Sequence, residues 1–140
     1  MKATCRIQLE NRLEEFQRFE SAFMDFARFQ NLSDEVIYAI QLSVDELFTN
    51  IVSYGYDDSE THTVKFVIDV TGEEIRVEII DDGNPFNPLD DAPDVNLDLS
   101  VEERKIGGVG IHLVKSLMSE VTYVRDGEYN RLRLVKKFEN

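Results

Sequence analysis

Between Asn11 and Gly55 the apolar residues recur at intervals of three and four, a rhythm that only paired amphipathic helices satisfy. Phe16, Phe19, Phe23, Phe26 and Ala27 make the first stripe, which ends near Asn31. Asn11 offers an N-cap, and Glu14 three residues later completes a capping-box pattern. Ser33 caps the second helix, with Asp34 and Glu35 beside its positive end. Ile37, Ile40, Val44, Leu47, Phe48 and Ile51 form its apolar face, and Gly55 stops it.

The rest of the chain changes period from 3.6 to 2. Thr4 to Leu9 reads as a short strand, and Val64, Phe66 and Ile68 alternate as another. Thr71-Gly72-Glu73-Glu74 turns the chain into a strand from Ile75 to Ile80. From Asp82 to Lys105 periodicity lapses, and all three prolines (Pro85, Pro88 and Pro93) fall there. A loop of that length is uncommon in a compact domain and is usually functional or mobile. A helix from Gly107 to Ser119 follows, with Ile111, Val114, Leu117 and Met118 inward. Strands Glu120 to Arg125 and Tyr129 to Lys137, turning at Asp126-Gly127, close the chain. The order predicts an α+β fold: a two-layer sandwich with helices on one face of a mixed, largely antiparallel sheet. The 140 residues are expected to form one domain over 1–140.

Charge and cysteine usage narrow the function. Lys and Arg total 15 against 28 Asp and Glu, a net charge of -13. A chain so acidic lacks the basic footprint that neutralises nucleic-acid phosphates, so its expected partners are proteins. Cys5 is the single cysteine, which excludes an internal disulfide and favours a reducing compartment; it reads as a small apolar packing residue. No stretch approaches the apolar length of a membrane span or signal peptide, so a cytoplasmic location is expected.

Three segments carry the chemistry. Glu46 and Asn50 are four apart, on one side of the second helix and off the centre of its apolar stripe. Such a pair is by default a solvated polar flank; the functional reading is a neutral oxygen for Mg²⁺ with a carboxylate near an attacking hydroxyl. Asp81 follows the strand and Gly83 comes two residues later, which is either an ordinary turn or a carboxylate placed to accept from an exocyclic amine. Gly107-Gly108-Val109-Gly110 opens a helix, where backbone N–H groups can face phosphates. It is neither a Walker A loop nor a Rossmann turn. Arg104 and Lys105 just ahead of it are either a solvated charge run or a grip on a terminal phosphate. His62 reads as a strand start and His112 as a helix face, with no metal role.

Taken in order, Glu46-xxx-Asn50, Asp81-x-Gly83-xx-Phe86 and Gly108-x-Gly110-xx-Leu113 resemble the GHKL (Bergerat) ATP-binding fold of histidine kinases, gyrase and Hsp90. More closely, Ser43 to Asn50 and Gly107 to Met118 are similar to the stand-alone anti-sigma factor serine/threonine kinases, over nearly the whole chain. The resemblance implies ATP and Mg²⁺ as cofactors, with Asn50 as the metal ligand and Glu46 as the catalytic residue that activates an acceptor serine. It implies that Asp81, with Gly83 and Phe86, holds the adenine side. Gly107, Gly108, Val109 and Gly110 would hold the phosphates, with Arg104 or Lys105 near the γ-phosphate. Residues 88–106 would form the ATP lid.

The family phosphorylates a serine on a STAS-type anti-anti-sigma protein, often holds a sigma factor inactive, and is commonly a homodimer. The resemblance thus implies a kinase in a partner-switching system that regulates transcription, without direct contact to nucleic acid or membrane. The turn Gly83-Asn84-Pro85-Phe86-Asn87-Pro88 departs from the sporulation-type kinases and resembles a broader subgroup of stand-alone ATPase domains. The alternative reading is an ATP-dependent module that binds its partner without effective phosphotransfer. Glu46 separates the two. A sensor histidine kinase fragment is disfavoured because no dimerisation helix with a phosphoacceptor histidine is present.

Overall fold

The structure, a computed structural model, describes residues 2–91 and 109–138. Five strands form one sheet: β1 (Ala3–Glu10), β2 (Thr63–Val70), β3 (Glu74–Asp81), β4 (Glu120–Asp126) and β5 (Tyr129–Lys137). Their order across the sheet is β1-β2-β3-β5-β4, and all four pairings are antiparallel. Helices α1 (Phe16–Phe29), α2 (Asp34–Tyr54) and α4 (Val109–Leu117) cover one face, with a four-residue helix α3 (Pro88–Asp91) after β3. This is the expected α+β sandwich.

The core lies between those layers. Ile7 and Leu9 of β1, Val64, Phe66, Ile68 and Val70 of β2, and Ile75, Val77 and Ile79 of β3 all point at the helices. Phe19 is fully buried, 5.6 Å from the ring of Phe23 and 5.0 Å from that of Phe66, so α1 and β2 lock through aromatic contact. Ile111 and Val114 of α4, and Met118 just after it, are buried as expected, and Leu117 is half-buried.

Helix ends follow the sequence in three places and depart from it in two. Ser33 Oγ accepts from Val36 N at 3.2 Å and caps α2. Ser33→Ala is therefore expected to cost about 1 kcal/mol, read as a lower urea midpoint at unchanged slope. Gly55 follows the last residue of α2 and its N–H returns to Ile51 O at 2.8 Å. Asn31, at φ 57, closes α1: Asn31 N donates to Arg28 O and Leu32 N to Ala27 O, the double bond of a Schellman end.

Asn11, however, caps nothing. Its Oδ1 accepts from His62 N at 2.9 Å and ties β1 to the start of β2. A 3₁₀ turn, Leu13–Glu15, intervenes before α1. The second departure is α3, inside the segment expected to be loop. Asn87 Oδ1 accepts from Leu89 N at 2.9 Å, and Pro88 takes the first helical position, where a missing N–H costs nothing. The expected lid over 88–106 otherwise lies outside the described residues.

Candidate functional site

Strand parity places the first polar group. Ile75, Val77 and Ile79 face the helices, so Asp81, two residues further, must face them too. It is buried at 3% exposure. The β3–β5 register sets Asp81 opposite Asn130, which shares the inward column of Leu132 and Leu134 and is equally buried. Asp81 Oδ1 accepts from Gly83 N and from Asn130 Nδ2, both at 2.9 Å. Among the described residues Oδ2 has no hydrogen-bond partner, and Asp81 lines a crevice with Asn50, Phe86, Pro88 and Asn130 over a floor of Leu47, Ile51 and Leu132. Burial raises the Asp81 pKa, and the two hydrogen bonds oppose that rise.

The turn after β3 fits only because of a glycine. A Cβ on Gly83 would lie 2.5 Å from Gly55 O, so the turn and the end of α2 are in backbone contact. Asn84 N donates to that same carbonyl at 2.7 Å. Arg125 donates to Gly83 O at 2.8 Å from the other side. Phe86 stacks on Tyr54 with centroids 5.5 Å apart, which seats it at the rim of the crevice.

Helix α2 supplies the other wall. Asn50, expected off the apolar stripe, is buried at 6% exposure. Asn50 belongs to a second buried flank of α2, with Ala39 and Ser43, beside the sheet-facing stripe, and α4 packs against this helix. Among the described residues, Asn50 Nδ2 and Ser43 Oγ have no hydrogen-bond partner. An orphaned amide at a crevice is costly unless a ligand completes it. Rotating that amide by 180° exchanges its ends and would offer the oxygen that a hard cation needs. An amide so turned is a donor of the kind Mg²⁺ accepts, so the residue present is compatible with that ion.

Glu46 lies one turn before Asn50, half-buried, and its side chain rests on the first turn of α4. A Cβ on Gly110 would overlap the Glu46 carboxyl and sit 3.1 Å from its Cγ. Gly110 is therefore the residue that lets α4 begin against this carboxylate. Burial, with the Asp45 charge behind it, raises the Glu46 pKa. Val109 opens α4 next to it. Arg104, Lys105, Gly107 and Gly108 lie outside the described residues. The site therefore brings together Glu46, Asn50, Asp81, Gly83, Phe86 and Gly110.

Sequence reasoning missed Asn130. The available signal was its parity with Leu132 and Leu134, which puts an amide on an apolar column. It also passed over the group beside the turn. His62 Nε2 is 2.9 Å from Asp58 Oδ1, and Nδ1 is 3.3 Å from Asp82 Oδ1, with the ring stacked on Tyr56. The Asp58 hydrogen bond, followed by that of Asp82, raises the His62 pKa. A raised folded-state pKa stabilises fully below the unfolded value of about 6.5 and ceases to do so as pH rises through the folded one. The melting-temperature gap between wild type and His62→Gln should accordingly be wider at acidic than at alkaline pH in calorimetry.

A family model described as a histidine kinase-like ATPase domain matches residues 9–136. The serine/threonine-protein kinase BtrW of Bordetella bronchiseptica is 27% identical over 97 residues, covering 69% of this chain and 68% of that one. An anti-sigma F factor of Clostridium botulinum is 26% identical over 102 residues, covering 71% and 69%. The solved structure of the RsbU and RsbW domains of Rv1364c from Mycobacterium tuberculosis aligns with a TM-score of 0.69 at 14% identity. It covers 96% of this chain, which spans 31% of that larger one, and the likeness is one of fold. Among the described residues no helix is long and apolar enough to cross a membrane.

Proposed function

The chain belongs to the histidine kinase-like ATPase domain family, and from that premise we propose that it is an ATP-dependent protein serine/threonine kinase. Its acceptor is a serine on a STAS-type anti-anti-sigma partner, and its role is that of an anti-sigma factor. The names of the relatives, a serine/threonine kinase and an anti-sigma factor, support this role.

The observation that carries the kinase reading is Glu46. It is a half-buried carboxylate with a raised pKa, held against the glycine that opens α4 and one turn from Asn50. A group so placed can orient a serine hydroxyl and take its proton. Asp81 would accept from the adenine amine through Oδ2, with Gly83 and Phe86 shaping that end. Asn50 would hold Mg²⁺, whose charge, when bound, offsets that of the phosphates. The N–H groups at Gly107, Gly108, Val109 and Gly110 would face the phosphates, with Arg104 or Lys105 near the terminal one.

The test is transfer. Labelled Mg-ATP incubated with this protein and a STAS partner should label one serine of the partner. Binding of both ATP and partner without any transfer would instead establish a nucleotide-dependent binding module.

A further inference from the structure

Asn130 has every hydrogen-bonding position of its amide engaged. Nδ2 donates to Asp81 Oδ1 and to Asn84 O, both at 2.9 Å. Its Oδ1 accepts from the Tyr123 hydroxyl and, at 3.2 Å, from Arg125. The orientation is set by charge: flipping would turn the NH₂ toward the Arg125 guanidinium, which can only donate, and the amide oxygen toward the Asp81 carboxylate and the Asn84 carbonyl, which accept. Its orientation is fixed from β4, and it passes that fixed orientation to the carboxylate across the β3–β5 pair.

Resting on the ATP reading above, we infer that Asn130 is the positioning residue that sets nucleobase specificity. By donating to Oδ1 it keeps Asp81, which lines the crevice, an acceptor whose Oδ2 has no hydrogen-bond partner among the described residues. Such a carboxylate suits a 6-amino purine, whose exocyclic group donates. It rejects a 6-oxo purine, whose oxygen accepts and would leave a buried carboxylate unpaired.

The alternative state of the site is a protonated Asp81, which can donate and so admit a 6-oxo purine. Burial pushes Asp81 toward that state, while the Asn130 and Gly83 hydrogen bonds oppose it. The Asp82 charge adds to the push, and the Arg125 charge resists it. Removing the Asn130 donor therefore shifts the balance toward protonation.

Two variants remove the donor in different ways. Asn130→Leu keeps the approximate volume and Asn130→Ala leaves space instead; neither side chain can donate at any pH. Dissociation constants for Mg-ATP and Mg-GTP would be measured by calorimetry from pH 5.5 to 9 on the full chain, with circular dichroism melts to confirm folding. The Asp81 carboxyl would be titrated by carbon NMR without nucleotide.

Wild type should prefer ATP by a ratio that is nearly flat with pH. In each folded variant ATP should weaken roughly tenfold toward the acidic end. The ATP-to-GTP ratio should fall there and recover as pH rises, and the Asp81 titration should move to higher pH. A residue that only stabilised the fold would lower the melting temperature without making the ratio depend on pH. A folded variant of either kind with the wild-type ratio, flat across the range, overturns the inference alone. Wild type that binds neither nucleotide overturns the functional reading and this inference with it.

Discussion

Asp81→Asn is expected to weaken Mg-ATP binding about 10- to 100-fold and to raise relative affinity for Mg-GTP. The substitution changes no shape, so its effect follows from which atom can stand where. Gly83 N and Asn130 Nδ2 both donate to the position of Oδ1. An asparagine must place its carbonyl oxygen there, because its NH₂ would oppose two donors. The NH₂ is then forced to the position of Oδ2 and faces the crevice. A 6-amino purine meets a donor with a donor, and each lost pairing in a buried site costs about 1–3 kcal/mol. The O6 of guanine meets the same NH₂ as a partner. Isothermal calorimetry with both nucleotides checks both halves. Unchanged curves for ATP would remove Asp81 from the base site, and the melting temperature reports separately on folding.

The same chemistry shows what the sequence can reveal and where it stops. Asp81 was legible because Ile75, Val77 and Ile79 fix its parity within one strand. The Ser33 cap, the Gly55 stop and the α2 face were legible because each depends on contacts a few residues apart. Asn130 was not, since its role arises from a β3–β5 pairing between residues 49 apart in sequence. The crossover that inserts β5 between β3 and β4 leaves no local trace. Asn50 was seen as a candidate ligand but placed outside the buried surface, because a helical wheel reads one apolar stripe. It does not anticipate that a second flank, carrying Ala39, Ser43 and Asn50, is buried too. Asn11 misled for a related reason: a good capping residue was taken up by a long-range bond to His62 N. The contact of Glu46 with Gly110 joins two motifs whose proximity only the packing of α2 against α4 creates.

That contact is where the largest effect is expected. Glu46→Ala should leave Mg-ATP affinity nearly unchanged and lower phosphate transfer to the STAS serine by about 10²–10⁴-fold, the usual contribution of a positioned general base. Glu46 touches the first turn of α4, not the Asp81 end of the crevice, so losing its carboxyl spares the base contacts. Glu46→Gln is the sharper control, since it keeps the volume against Gly110 and removes only the ability to accept a proton as an anion. Burial, ahead of the Asp45 charge, raises the Glu46 pKa, so more of it is protonated at mildly acid pH than an ordinary carboxylate would be. A base works only when deprotonated. The wild-type rate should therefore climb as pH rises through that raised value, and the Gln variant should lose the climb. Single-turnover transfer with labelled ATP, followed across pH, measures both. A Glu46→Ala protein that transfers at the wild-type rate would leave the kinase standing and remove Glu46 from its chemistry. A wild type that binds ATP and partner, yet never transfers, would make this carboxylate part of a nucleotide-gated binding surface instead.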